Sequence, residues 1–281
     1  MLKILPATLG VSVHGPVPPN RFWGYYTGPE LGELAKDPNA TAVLNVGAIE
    51  QHGPHLPTAT DTLFGMEVLG AALKRLRAES IVIALPPTNL GKSEEHADFV
   101  GSLSYRGETL RMVLMDTAMS VARTGFHKLV LLGSHGGNVG LLDDYFRDLH
   151  MASRLRVFKI QIGSLANIPG LVSPAESAVS LHSGDGETSV IRYLAPETVR
   201  MDQAGGYIYE PEPDIGFSFK GQDVIEAWVT NDLSPNGAIG NPLTSSPEKG
   251  ERMFEAKVSR LAQLLEAIYA EDKRPVKLVH A

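Results

Sequence analysis

The chain of 281 residues contains no cysteine. Disulfides, thiolate nucleophiles and cysteine-held zinc are thereby excluded, and histidine, aspartate and glutamate remain the only strong metal donors. Basic charge is also scarce: 25 Lys and Arg stand against 32 Asp and Glu, a net charge of -7. Phosphate backbones are bound by concentrated cations, so nucleic acid is not an expected partner. No apolar run approaches the ~20 residues of a membrane span, so no membrane contact is expected either. Proline interrupts the opening Met1-Leu-Lys-Ile-Leu-Pro6 too early for a signal sequence, and a cytoplasmic location is the expectation. A dinucleotide fingerprint is missing too. Gly133-Ser-His-Gly-Gly137 sits between a strand and a helix but lacks the G-x-G-x-x-G spacing that a pyrophosphate needs.

What is present is concentrated in Gly47-Ala-Ile-Glu50-Gln-His52-Gly-Pro-His55-Leu-Pro-Thr-Ala-Thr-Asp61. It follows 41–46, a short β-branched apolar run that reads as a buried strand. If the extended backbone continues past Gly47, Glu50 and His52 project to one face. Pro54, Pro57 and Gly53 then forbid regular structure, placing His55 and Asp61 on a loop. A single His beside a Glu is usually a solvated loop. Four such donors on a stiffened loop suit a divalent metal, because a rigid backbone loses little entropy on binding.

Downstream, helical and strand periods alternate. Helices are expected over 61–77, 109–124, 139–152, from near Glu187 to 194, and over 247–271; a short one opens at Pro29. Buried strands are expected at 81–85, 128–132 and 157–162. This order implies a parallel sheet covered on both faces, whose ligands bind beyond the carboxyl ends of the strands. The polar loops 47–61, 91–96 and 133–138 all leave that edge. Topology therefore directs Glu50, His52, Asp61, His96 and His135 towards one crevice. The aromatic group Phe22-Trp23-Gly24-Tyr25-Tyr26 could line a pocket or cover a domain edge. Residues 203–245, which include Trp228, show little periodicity and read as a lid or an interface arm.

These residues together resemble the creatininase family of metal hydrolases. The matching pieces are Glu50-Gln-His-Gly-Pro-His-Leu-Pro57 with Asp61, Ser93-x-Glu-His96, Gly133-x-His-Gly-Gly-Asn138, and His182-Ser-Gly-x-x-Glu187-Thr-Ser189. Asn236-Gly-Ala-Ile-Gly-Asn-Pro242 and Glu248-Lys-Gly250 look like the family's late motif. The resemblance implies one domain over 1–281, a three-layer α/β/α sandwich with a mainly parallel sheet, and a homo-oligomer, commonly a hexamer. It also implies two divalent ions, zinc first, with manganese or iron also suited to such donors. Glu50, Asp61 and His135 would hold one ion; His52, Asp61 and a further carboxylate would hold the other.

In creatininase that carboxylate lies two residues beyond the histidine matching His135; here the position is Gly137, and Glu187 is the expected replacement. An acid that precedes the histidine matching His182 is here Leu181. Both departures point away from creatinine. The implied reaction is attack of a metal-activated water on a carbonyl, with His182 as proton shuttle. The expected bond is the C–N bond of a small cyclic amide, formamide or short peptide. Ring opening of a cyclic ketone or lactone such as a dehydro-inositol is the alternative, and a non-catalytic metal- or ligand-binding protein is the alternative of another class. His55 and His96 are expected to orient ligands or substrate. Asn138, with its neighbouring glycines, is expected to bring backbone amides to the substrate oxyanion, and Trp23 and Trp228 are weaker candidates for its contacts.

Overall fold

Strand β1 (Thr41–Val46) is buried along its whole length, which requires cover on both faces. Its partners are strands β2 (Val82–Ala84) and β3 (Lys128–Gly133), with β4 (Arg156–Gln161) beyond β3. In this computed structural model, which describes residues 13–210, 217–220 and 223–271, the four strands form one parallel sheet in the order β2-β1-β3-β4. The opening segment 1–12 lies outside the described residues.

Alternate side chains along the strands feed two cores. Val43, Val82, Ala84, Val130 and Leu132 pack on one face against α2 (Thr60–Lys74) and α8 (Pro247–Ala270), through Leu69, Leu73, Val258 and Leu261. Ala42, Leu44, Ile83, Leu129 and Leu131 face α3 (Gly107–Thr124), α4 (Val139–Ser153) and α1 (Gly28–Leu34), through Leu110, Leu114, Leu142 and Leu31. Each fully buried Leu contributes on the order of 2 kcal/mol. The result is an α/β/α sandwich. The expected elements fall within a few residues of those observed; after the short α5 (Pro174–Val179), the helix foreseen from near Glu187 begins at Asp185 as α6 (Asp185–Leu194) and packs on α8.

Helix ends follow local chemistry. Ser246 caps α8 by accepting the Lys249 N–H at 3.3 Å, with Pro247 next in the first turn. Gly125 ends α3 at φ 96°, a left-handed turn that favours glycine. Within 203–245, the described residues carry only short elements: α7 (Thr230–Leu233), the two-residue parallel pair β5 (Phe217–Ser218) and β6 (Val224–Ile225), and 3-10 turns such as Pro242–Thr244. Residues 211–216 and 221–222 of that segment lie outside the description.

Candidate metal centre

The register of the sheet builds the site. Val46 pairs with Gly133, so the loops after β1 and β3 leave the sheet side by side. A side chain at Gly47 would place its Cβ 2.7 Å from Thr62 Oγ1, so only glycine lets the first loop pass α2. Beyond it the chain is not a continued strand. Ile49 pairs with Leu103, and His52 lies opposite Leu56 across a turn in which Gly53 takes φ 67°. Asp61 enters from the first turn of α2. Asn138, fully buried, ties the loops together: its Nδ2 donates to Gly47 O at 3.1 Å and its Oδ1 accepts the Lys92 N–H at 2.9 Å. It acts on the backbone of the two neighbouring loops.

The histidines divide by where their second nitrogen goes. A backbone carbonyl can only accept, so the ring nitrogen facing it must carry the proton. His52 Nδ1 faces Glu50 O at 3.1 Å, His135 Nε2 faces Lys92 O at 2.8 Å, and His182 Nε2 faces Gln51 O at 2.6 Å. In each ring, when neutral, the other nitrogen is a bare lone pair. His135 Nδ1 then confronts Glu50 Oε1 at 3.2 Å and Asp61 Oδ2 at 3.1 Å; His52 Nε2 lies 3.8 Å from Asp61 Oδ1, and His182 Nδ1 lies 3.8 Å from Glu50 Oε1. Lone pairs pointing at one another repel unless a metal ion or a trapped proton sits among them. Glu50 Oε2, Asp61 Oδ2 and His52 Nε2 are buried without a hydrogen-bond partner, as donors waiting for a metal would be.

Among the described residues three donor sets are close enough to share an ion: Glu50 with Asp61 and His135, His52 with His182 and Glu187, and Glu50 with His96 and His182. The residue types and spacing fit divalent ions of the zinc or manganese kind. Glu187 stands in the third position of α6 and accepts the Ser183 N–H at 2.6 Å through one oxygen. It therefore ties the turn before the helix to its first turn and still presents a second oxygen.

His96 differs from the other three. Its Nδ1 accepts from the Gln51 side-chain amide at 2.9 Å and from Thr230 at 2.6 Å, so the proton is on Nε2, directed at Glu50 Oε1 3.4 Å away. That arrangement orients Glu50 and uses up the lone pair a metal would need. His55 lies apart, its Nε2 3.0 Å from Thr188 Oγ1 on α6.

Charge in this pocket is unbalanced without a cation. Burial and the neighbouring Glu50 push Asp61 well above the usual carboxylate range. Burial works against ionised Glu50 too, but the hydrogen bond and charge of His135 hold it below that range. Burial likewise opposes charge on His135, and its bonds to Asp61 and Glu50 outweigh this and raise it well above an ordinary imidazole. Burial, then His182, hold His52 well below it. A divalent ion relieves the same repulsion that a trapped proton otherwise relieves.

Of the aromatic candidates, Trp228 lines a cavity of about 290 Å³ with Glu50, Asp61, His135 and Glu187. Trp23 is not brought to it: its ring stacks on Phe126, 4.9 Å away, just before β3 begins and so at the opposite edge of the sheet. A second cavity of about 520 Å³ shares Leu181, His182 and Glu187 with the first. Sequence reasoning missed Gln51, Thr230 and Glu95. Gln51 and Glu95 adjoin His52 and His96 in the motifs themselves, whereas nothing in the local sequence marks Thr230.

A family model described as creatinine amidohydrolase, Creatininase, matches residues 24–265. A mycofactocin precursor peptide peptidase of Mycobacterium tuberculosis is 31% identical over 244 residues, 82% of this chain and 89% of the relative. A creatinine amidohydrolase of Pseudomonas putida is 27% identical over 261 residues, 87% of this chain and 95% of its own. Among solved structures, one described as creatininase Mn aligns with a TM-score of 0.71 at 24% identity, covering 89% of this chain and 99% of its own. A mutant creatininase described as Zn-Zn type aligns with the same TM-score and identity, over 89% of this chain and 98% of its own.

Proposed function

The chain belongs to the creatininase family of hydrolases, and from that premise we propose that it is a binuclear metal enzyme cleaving the C–N bond of a short peptide or small amide. The observation that carries this reading is the set of three histidines whose outer nitrogens are tied to backbone carbonyls while their inner nitrogens meet Glu50 and Asp61 as bare lone pairs. When bound, two divalent ions at such a site acidify a shared water and polarise a carbonyl.

Glu50, Asp61 and His135 would hold one ion, and His52, Asp61 and Glu187 the other, with Asp61 shared. His96 fixes Glu50 in place through its Nε2–H. His182 keeps its Nε2 proton on Gln51 O, so its Nδ1 is the atom that can take up a proton and deliver it to the departing nitrogen. The same Nδ1 is within reach of ligand duty beside His52 and Glu187. Leu181 and Gly137, which replace acids of creatininase, favour a peptide over creatinine, as do the curated peptidase relatives. The cavity of about 520 Å³ beside His182 gives such a substrate room.

Elemental analysis before and after chelation tests the reading. About two divalent ions per chain are expected, with hydrolysis of short peptides and formamides lost on chelation and restored by zinc or manganese. A chain that takes up no metal on titration rules the proposal out. His182→Asn separates its two roles: two retained ions with lost turnover mean proton transfer, and a lost ion means ligation.

A further inference from the structure

Gly137 leaves a space, and a carboxylate from another loop fills it. A Cβ built on Gly137 would lie 2.0 Å from Glu95 Oε1, so the Glu95 side chain can enter the site only because residue 137 has none. Glu95 lines the cavity of about 290 Å³ with Trp228, Glu50, Asp61 and His135. Its side chain is only 17% exposed, and Oε2 is buried with no hydrogen-bond partner. Two groups pair with it only loosely, beyond hydrogen-bond distance. His135 Nε2 is 3.9 Å from Oε1, and its proton is already directed at Lys92 O. Lys92 Nζ is 3.7 Å from Oε2 and equally far from Glu94.

Glu95 is not among the donors close enough to share an ion. His135 presents Nδ1 to Glu50 and Asp61 and Nε2 towards Glu95, so the imidazole ring stands between Glu95 and the ligand cluster. A mostly buried carboxylate whose Oε2 has only a loose ion pair with Lys92 and no hydrogen-bond donor is costly unless a closer donor arrives with what binds. Here it faces the cavity that a substrate must enter, beside an indole wall suited to a cation.

We propose that Glu95 is a substrate-binding residue that receives an ammonium or similarly cationic N–H group of the substrate, close to the carbonyl that is attacked. The enzyme then prefers substrates with a free amine on that flank. This rests on the binuclear hydrolase reading above. It adds a selectivity that the metal ligands, which act on the carbonyl alone, do not supply.

Hydroxamates separate the two ideas, because each chelates metal through the same group whether or not it carries an amine. Wild-type protein and Glu95→Gln are loaded with zinc, their metal is counted, and both are titrated by calorimetry at pH 7 with acetohydroxamate and with the hydroxamates of glycine and β-alanine. At least one amino-hydroxamate is expected to bind the wild type about tenfold or more tightly than acetohydroxamate, the gain of a charge-assisted hydrogen bond. In Glu95→Gln that preference disappears, while acetohydroxamate affinity and metal content stay as in the wild type. Equal affinities for all three ligands on fully loaded wild-type protein overturn the assignment and leave the hydrolase reading intact. Loss of an ion in Glu95→Gln also overturns it, by making Glu95 a ligand. Wild-type protein that takes up no zinc fails the parent reading and this one with it, and the metal count tells that case apart. If Glu95→Gln does not fold, Glu95→Ala takes its place, and an amine preference that survives in either folded variant overturns the assignment.

Discussion

The two edges of the sheet bury charge in opposite ways. At the amino edge, Lys128 is 1% exposed, yet its ammonium donates to Asn39 Oδ1 at 2.8 Å and to the carbonyls of Ile268, Tyr269 and Glu271 at 2.7, 3.0 and 2.8 Å. It closes the carboxyl end of α8, where the helix dipole also favours a cation. At the carboxyl edge, Glu50, Asp61 and His52 are as deeply buried and carry atoms with no partner. A buried charge with its bonds complete holds the fold together. One with unmet bonds is kept at a cost to stability, and that cost marks the place where something else must bind.

Substitution on each side should break the comparison in a different observable. Asp61→Asn, which removes the negative charge shared between the proposed ions, is expected to lower turnover by about a thousandfold, the equivalent of several kcal/mol of lost metal assistance. Metal content should fall below two per chain, while the metal-free variant melts no lower than metal-free wild type, because the repulsion between Asp61 and Glu50 is gone. A lower melting temperature for the variant would mean that the site is built for stability after all. Lys128→Met is the mirror case. It strips the donor from several buried oxygens and should cost about 3 kcal/mol in urea unfolding, with metal content unchanged.

How far the site could be read in advance follows from the same division. The sandwich and its parallel sheet were legible because strands buried on both faces read as short apolar runs and the helices keep their period, as in Leu110, Leu114, Ala118 and Val121. The loops carrying Glu50, Asp61 and His135 were assigned to one edge by topology, and the register of Val46 with Gly133 is what brings them together. The sense in which each imidazole is used was not legible. His96 and His135 are alike in the sequence, and only tertiary partners, Thr230 and Gln51 for one and Lys92 O for the other, fix which nitrogen is bare. Trp23 was misplaced for a related reason: an aromatic on an irregular segment has no period to give its direction, and Phe126 claims it at the far edge. Glu95 was overlooked because its position depends on a side chain that Gly137 does not have.

The smallest expected effect concerns pH and reaches the histidines around the centre. Burial, and then the charge of His182, hold His55 down to about 4 and His96 down to about 3. In the unfolded chain both titrate near 6.5. Between that value and their folded values the unfolded state therefore binds more protons than the folded one, so stability falls as pH falls through this window. It is fully present above about 6.5 and levels off once the folded groups have themselves taken up protons. Asp61 and His135, held high, titrate in the opposite sense, so the test is a difference between two proteins. From pH 7 to pH 5 the urea midpoint of the metal-free wild type should move further downward, relative to its value at pH 7, than that of metal-free His55→Gln. An identical change in both would mean that His55 is not held neutral by its burial beside the centre, and the pH contrast between the two edges would be lost.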